Sequence, residues 1–270
     1  MSTQDLNELI FPVSNIAVQA GKIIKKYYKS KINILLKNDK SPITQADLES
    51  NILIKNSLVK IDKKIPILSE ESLVDWSIRK NWQSYWLIDP LDGTKEFIKE
   101  NGEFTVNIAL IRNNRPVLGI IYAPILKTIY FSYKSGGSYK LNIQEDRIIK
   151  NYLDHSIKLQ TSSKKENDPL TVICSRSHPN HKFNHWLKKN IKTYNLIQKG
   201  SSLKFCNIAE GIADIYPRFQ PTSEWDTAAG HIILIEAGGK LRSTDQKEIL
   251  YNFKESVINP HFIASCKLNL

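Results

Sequence analysis

The segment Tyr85-Trp86-Leu87-Ile88-Asp89-Pro90-Leu91-Asp92-Gly93-Thr94 runs an apolar stretch straight into two aspartates three residues apart. Pro90 cannot donate to a strand ladder, so the chain is expected to turn there and bring Asp89 and Asp92 toward one point. Gly93 lets the backbone approach whatever sits at that point. Two carboxylates held close repel each other unless a cation lies between them. Hard oxygen donors of this kind suit Mg²⁺ rather than zinc. Thr94 is then placed to cap a short helix whose first N–H groups face a phosphate oxygen. Other acids share this potential. Glu70-Glu71 ends the apolar run Ile65-Pro66-Ile67-Leu68-Ser69, and Asp226 opens Thr227-Ala228-Ala229-Gly230, whose small residues permit close packing. Asp47 follows Thr44 at capping-box spacing. Each also has a plainer use: DPxDG is an ordinary turn, Glu70-Glu71 a solvated pair, and Asp47 and Asp226 helix caps.

The elements that must carry these acids are legible from periodicity. Leu6, Leu9, Ile10, Val13, Ile16, Ala17, Ala20, Ile23, Ile24 and Tyr27 recur at helical spacing, with Pro12 expected to interrupt or kink the helix. A second helix is predicted to start after Ser41-Pro42, using Thr44 and Asp47. Residues 65–69 and 85–89 read as buried strands. Residues 105–111, 117–122, 127–133 and 137–141 read as an antiparallel meander punctuated by Asn113-Asn114 and Gly136-Gly137. The polar stretch 144–169 is the candidate boundary. Beyond it come a strand at 170–174, a helix near 181–190 and a strand at 194–198. A helix near 201–210, a strand at 213–216 and a helix near 226–237 closed by Gly238-Gly239 follow. Helices packing on sheets in both halves predict a layered α/β fold.

Composition narrows the class. The 270 residues are 41% hydrophobic and 24% charged, with 11 Gly and 11 Pro, which excludes a disordered or collagenous chain. No apolar stretch approaches the ~18 residues that span a bilayer, and the acidic Met1–Phe11 segment does not read as a signal peptide. Cys174, Cys206 and Cys266 are odd in number and widely spaced, so a reducing, cytoplasmic setting is expected. The net charge of +11 comes from lysines scattered along the chain, as in KINILLKNDK, and no nucleic-acid-binding motif accompanies it. His178, His181 and His185 have spacings that suggest zinc, but no thiolate or carboxylate at ligand spacing joins them.

Taken together, Ser41-Pro42 with Thr44 and Asp47, LSEE at 68–71, DPLDGT at 89–94, WDTAAG at 225–230 and EAGG at 236–239 resemble the lithium-sensitive, Mg²⁺-dependent phosphatases of the inositol monophosphatase superfamily. The resemblance covers nearly the whole chain, with the motifs in the family's order. Inositol phosphatases usually continue the aspartate motif with a DGT-T-N-F type sequence. Here Lys95-Glu96-Phe97-Ile98 and the stretch Asn101-Gly102-Glu103-Phe104-Thr105-Val106-Asn107 stand instead. These, with Ser175-Arg176-Ser177-His178 and residues 200–206, are similar to the bacterial 3′(2′),5′-bisphosphate nucleotidases.

The resemblance implies an αβαβα sandwich with an N-terminal α+β subdomain (1–158) and a C-terminal α/β subdomain (159–270). It implies two, or three, Mg²⁺ ions held by Glu70, Asp89, the Leu91 carbonyl, Asp92 and Asp226, with Asp89 bridging. It also implies an attacking water oriented by the catalytic pair Asp47 and Thr94. Substrate contacts carry over to Glu70, Leu91, Asp92, Gly93, Thr94, His178, Ser201, Lys204, Arg218 and Asp226. The implied substrate is adenosine 3′,5′-bisphosphate, a small nucleotide cleaved to AMP and phosphate in support of sulfate assimilation. Related proteins are loosely associated with the cytoplasmic face of the inner membrane. By sequence alone, Lys204 amid Leu203, Phe205, Ile208 and Ala209 reads first as a snorkelling surface lysine. The competing functions are an inositol monophosphatase or fructose-1,6-bisphosphatase on the same fold, and a basic RNA-binding protein with an inactive phosphatase fold.

Overall fold

The computed structural model describes residues 3–30, 34–36, 42–144, 146–164, 168–176 and 181–267. A short hairpin, β1 (Ile34–Leu36) and β2 (Pro42–Thr44), precedes a seven-stranded sheet whose spatial order follows the sequence. Its strands are β3 (Ile67–Ser69), β4 (Ser84–Asp92), β5 (Thr105–Arg112), β6 (Arg115–Ala123), β7 (Thr128–Tyr133), β8 (Gly137–Asn142) and β9 (Ile157–Lys158). In this sheet only β3 and β4 pair in parallel; β4 through β9 are antiparallel, and β5 to β8 are the meander expected from the turn signals. Asn113 and Asn114 both take positive φ, 46° and 62°, as a tight hairpin turn requires. A second sheet has the order β11-β10-β12-β14-β13: β10 (Leu170–Ser175), β11 (Tyr194–Lys199), β12 (Ile215–Arg218), β13 (Lys240–Ser243) and β14 (Phe262–Ser265).

Strand alternation decides the layers. On β4, Trp86 and Ile88 face one apolar core while Tyr85 and Leu87 face another. The first core is closed by α1 (Thr3–Tyr27) and α2 (Gln45–Ile61). Two short helices follow, α3 (Trp76–Arg79) and α4 (Thr94–Ile98), then α5 (His181–Asn190), α6 (Leu203–Ala209) and α7 (Glu224–Glu236). The second core lies between the sheets and is filled by α6 and α7, while Leu187 on α5 and Ile191 just after it cover the far face of the second sheet. The sandwich is therefore αβαβα, as the resemblance implied. Because the large sheet is covered on both faces, β4 to β6 are almost uninterrupted in burial rather than alternately wet and dry.

Several local expectations are corrected. Helix α1 runs unbroken through Pro12; burial of Leu6, Leu9, Ile10, Val13 and Ala17 against the sheet outweighs a proline cost of about 3 kcal/mol. The chain does not turn at Pro90. Asp89 pairs with Asn107 and Asp92 with Thr105, so three steps on β4 oppose two on β5. Pro90 sits in the bulge this extra residue makes, where no ladder donor is needed.

Helix α7 lies so close to β6 that a Cβ built on Gly119 would stand 2.6 Å from the Ala229 carbonyl oxygen and 2.5 Å from Ile232 Cγ2. Gly119→Ala is therefore expected to lower unfolding stability by about 1–3 kcal/mol, since the obstacle is backbone that cannot rotate away. Urea denaturation of the purified variant measures this.

Candidate active site

The parallel register of β3 and β4 makes the first contact. Ser69 pairs with Ile88, and the Glu70 N–H donates to the Ile88 carbonyl at 3.2 Å, so Glu70 and Asp89 leave adjacent strand ends side by side. Asp226 arrives from the first turn of α7. It is not the N-cap: Ser223 is, and Asp226 is the third helical residue, its Oδ2 accepting the Ser223 N–H at 2.8 Å. One oxygen each from Glu70, Asp89 and Asp226 lies within 4.8 Å of the others.

Asp47 occupies the same third-residue position on α2. Its Oδ2 accepts the Thr44 N–H at 2.8 Å and the Thr44 hydroxyl at 2.6 Å. The cap consumes one carboxylate oxygen and aims the other at Thr94, whose Oγ1 lies 3.3 Å from Asp47 Oδ1. Thr94 Oγ1 is also 3.4 Å from the Leu91 carbonyl oxygen. Thr94 is not the cap of its helix either. Gly93 is, at φ 92°, a conformation that a residue with a Cβ adopts only under strain.

Asp92 is held differently, by residues the sequence motifs left without a role. Its Oδ2 accepts the Ser202 N–H at 2.6 Å and the Asn107 side-chain amide at 3.3 Å. The Ser202 hydroxyl lies 2.8 Å from both Asn107 Oδ1 and Thr105 Oγ1. Thr105 and Asn107 belong to the stretch that distinguishes this chain from inositol phosphatases. Their alternate spacing on a strand leading away from the acids was the available signal.

Glu70, Asp92, Thr94, Ser202 and Asp226 line one cleft of about 250 Å³ that also contains Gly93, Ser201, Lys204, Tyr216 and Arg218. Lys204 is buried rather than snorkelling. Its Nζ stands 5.3 Å from the centre of the Tyr216 ring and donates to the Lys199 carbonyl at 3.5 Å. Arg218 is steadied by its Nε donating to the Gln220 carbonyl at 3.2 Å. Ser41, Ser177 and His178 lie outside the described residues; Asp89 belongs to the acid cluster beside the cleft, and Asp47 and the Leu91 carbonyl reach it through Thr94. His181 and His185 lie on α5 and line a separate, open groove with Trp186 and Phe219.

Burial and mutual repulsion set the electrostatics. Burial first, then Glu70, Asp92 and Asp226, push the Asp89 carboxyl far above the ordinary range. Burial and then Asp92 and Glu70 do the same to Asp226. Asp92 is raised by burial to about 6, with Lys204, Asn107 and the Ser202 N–H opposing the rise. Burial lowers Lys204 to about 8 against the pull of Asp92. Oxygen atoms of Glu70, Asp89 and Asp226 converge, and two of these carboxyls, Asp89 and Asp226, are displaced upward, which makes a donor set that a hard divalent cation fits. Glu70, Asp89 and Asp226 would hold it, with Asp92 and the Leu91 carbonyl at its border.

Residues 5–266 match the inositol monophosphatase family. The 3′(2′),5′-bisphosphate nucleotidase CysQ of Buchnera aphidicola subsp. Acyrthosiphon pisum is 43% identical over 270 residues, spanning 96% of this chain and 94% of that protein. The crystal structure of CysQ from Bacteroides thetaiotaomicron, a bacterial member of the inositol monophosphatase family, superposes with a TM-score of 0.84 at 39% identity. That match covers 97% of this chain and 100% of the other. An IMPase/NADP phosphatase complexed with Mg²⁺ and phosphate shares the fold at 18% identity, with a TM-score of 0.76 over 99% of this chain and 92% of that one.

The displaced acids predict the pH dependence of the metal-free protein. Below the ordinary Asp value of 3.8 both folded and unfolded states are protonated, and the cluster costs nothing. Between 3.8 and about 6 the unfolded Asp92 ionises first, so stability falls as pH rises through this window, with Asp89 and Asp226 extending the loss upward. Asp89→Asn is expected to raise the metal-free Tm at pH 8 by about 2–4 °C and to abolish the Tm gain that Mg²⁺ gives the wild type. Thermal scans of both proteins at pH 5 and pH 8, with and without Mg²⁺, measure this.

Proposed function

This chain belongs to the inositol monophosphatase family, and we propose that it is a Mg²⁺-dependent 3′(2′),5′-bisphosphate nucleotidase that converts adenosine 3′,5′-bisphosphate to AMP and phosphate. The observation that carries the reading is one cleft with the half-buried carboxylates Glu70, Asp92 and Asp226 on one wall, Asp89 buried beside them, and the cations Lys204 and Arg218 on another. The acid wall, once it holds metal, takes the phosphate to be cleaved. The cationic wall suits the phosphate that stays. Relatives bearing the CysQ name at 43% and 42% identity support the same substrate.

Bound to Glu70, Asp89, Asp92, Asp226 and the Leu91 carbonyl, Mg²⁺ would neutralise the transferring phosphate and acidify water. The remaining work falls to the chain. Thr94 directs its hydroxyl hydrogen to Asp47 Oδ1, leaving an oxygen lone pair to accept a proton from water. Asp47 is the final proton acceptor, and its other oxygen, fixed by Thr44, keeps it from rotating away. The Gly93 backbone comes close because no Cβ intervenes: one built there would meet Ser201 Cβ and the Glu103 carbonyl at 3.3 Å. The same reading places the enzyme in the cytoplasm, supported by three free thiols. No described helix is long and apolar enough to cross a membrane.

Phosphate release from adenosine 3′,5′-bisphosphate, with and without Mg²⁺ and then with Li⁺, tests the reading; Mg²⁺-dependent, Li⁺-inhibited release yielding AMP is expected. Release from inositol monophosphate or fructose 1,6-bisphosphate alone would move the activity elsewhere in the family. Salt-dependent RNA binding without turnover would favour the non-enzymatic alternative. Thr94→Ala is expected to lower kcat by about 10²–10⁴-fold with KM nearly unchanged, because proton transfer is lost while binding is kept. Lys204→Met is expected to raise KM for the bisphosphate more than for adenosine 3′-monophosphate, which steady-state kinetics on both substrates would show.

A further inference from the structure

Three segments that meet at the cleft edge are joined by one side chain outside it. Glu103 is 8% exposed. Its Oε2 accepts the Gly200 backbone N–H at 2.8 Å and Arg176 Nε at 2.9 Å, while Oε1 accepts Arg176 Nη2 at 2.9 Å and Lys199 Nζ at 3.3 Å. The backbone is engaged as well: a Cβ on Gly200 would fall 2.6 Å from the Glu103 carbonyl oxygen. Glu103 thus grips the turn that follows β11 and the residue that follows β10.

What that turn delivers makes the grip consequential. Ser201 has φ 48°, a left-handed conformation that a serine does not hold without outside support. Ser201 lines the cleft against Gly93. Ser202 gives its N–H to Asp92, and Lys204 follows one residue into α6. Ser175, beside Arg176, lines the same cleft. We propose that Glu103 is a positioning residue for the nucleotide side of the cleft. Its carboxylate holds the Gly200–Ser202 turn in the strained form that presents Ser201 and Lys204 to substrate, and Arg176 ties the end of β10 to the same anchor.

The grip persists across the assay range. Burial alone would raise the Glu103 carboxyl, but Arg176, the Gly200 N–H and Lys199 outweigh it and leave the group below its ordinary value. The carboxylate therefore stays ionised at neutral pH. Asp92 keeps its Asn107 contact when the turn loosens, so the metal wall suffers less than the substrate wall.

This inference rests on the nucleotidase reading for its kinetic arm and on the fold alone for its structural arm. Glu103→Ala and Glu103→Gln are compared with wild type for turnover of adenosine 3′,5′-bisphosphate, for Mg²⁺ half-saturation, and for amide hydrogen exchange at residues 199–204. For Glu103→Ala the expected result is a KM about 10–30-fold higher, a smaller change in kcat, and exchange at least about tenfold faster at Gly200 and Ser202. Glu103→Gln retains one acceptor for the Gly200 N–H and is expected to fall between. It also keeps the test open if the alanine variant fails to fold. Unchanged KM with unchanged exchange would overturn the proposal, as would a loss confined to kcat and Mg²⁺ half-saturation. If wild type does not turn over the nucleotide, the nucleotidase reading fails, and exchange still decides whether Glu103 holds the turn.

Discussion

Carboxylates that repel one another are held within a few ångström at the ends of two strands, and much of the surrounding structure holds them there. Burial first, and then repulsion from their neighbours, favours proton uptake by Asp89 and Asp226. The acids stay because each is carried by an element that cannot give way. Glu70 and Asp89 leave a parallel strand pair, Asp226 begins a helix packed between two sheets, and Asp92 follows a bulge pinned by Asn107 and Ser202. Under the proposed reading, a divalent cation bound there would offset this repulsion.

The economy of the site lies in side chains with two uses. Asp47 and Asp226 both sit at the third position of a helix and both complete a capping box. The cap takes one carboxylate oxygen, which removes the freedom of the side chain to rotate, and leaves the other for chemistry. The positive end of each helix adds a favourable field for a negative group in its first turn. The cap role of these residues does not compete with the site role proposed for them, because capping orients the side chains.

The cleft is assembled from both sheets. Helix α7 crosses the large sheet and delivers Asp226, which works only because Gly119 and small residues on the helix allow close approach. From the other side, the turn after β11 reaches back to Asp92 through Ser202 and to Glu103 through Gly200. The acidic side of the cleft and the Gly200–Lys204 side therefore share a few hydrogen bonds, and a change in one can be felt in the other.

Much of this was legible in the chain itself. Strand and helix periods, the turn at Asn113-Asn114 and the spacing of the acids depend on local geometry, which sequence carries directly, and the motif order pointed to the family. Where the reading slipped, the cause was non-local. Pro90 reads as a turn until β5 is seen to pair on both sides of it; Pro12 reads as a break until the sheet beneath α1 is in place; Lys204 reads as a surface lysine until Tyr216 and the acids enclose it. Ser202 and Glu103 carry no local sign of the contacts they make, because their partners lie 110 and 97 residues away in the chain. The sequence determined which groups could do the chemistry. Only the tertiary structure decided which of them meet, because hydrogen-bond geometry and carboxylate repulsion depend on distances of a few ångström that packing of the two sheets sets.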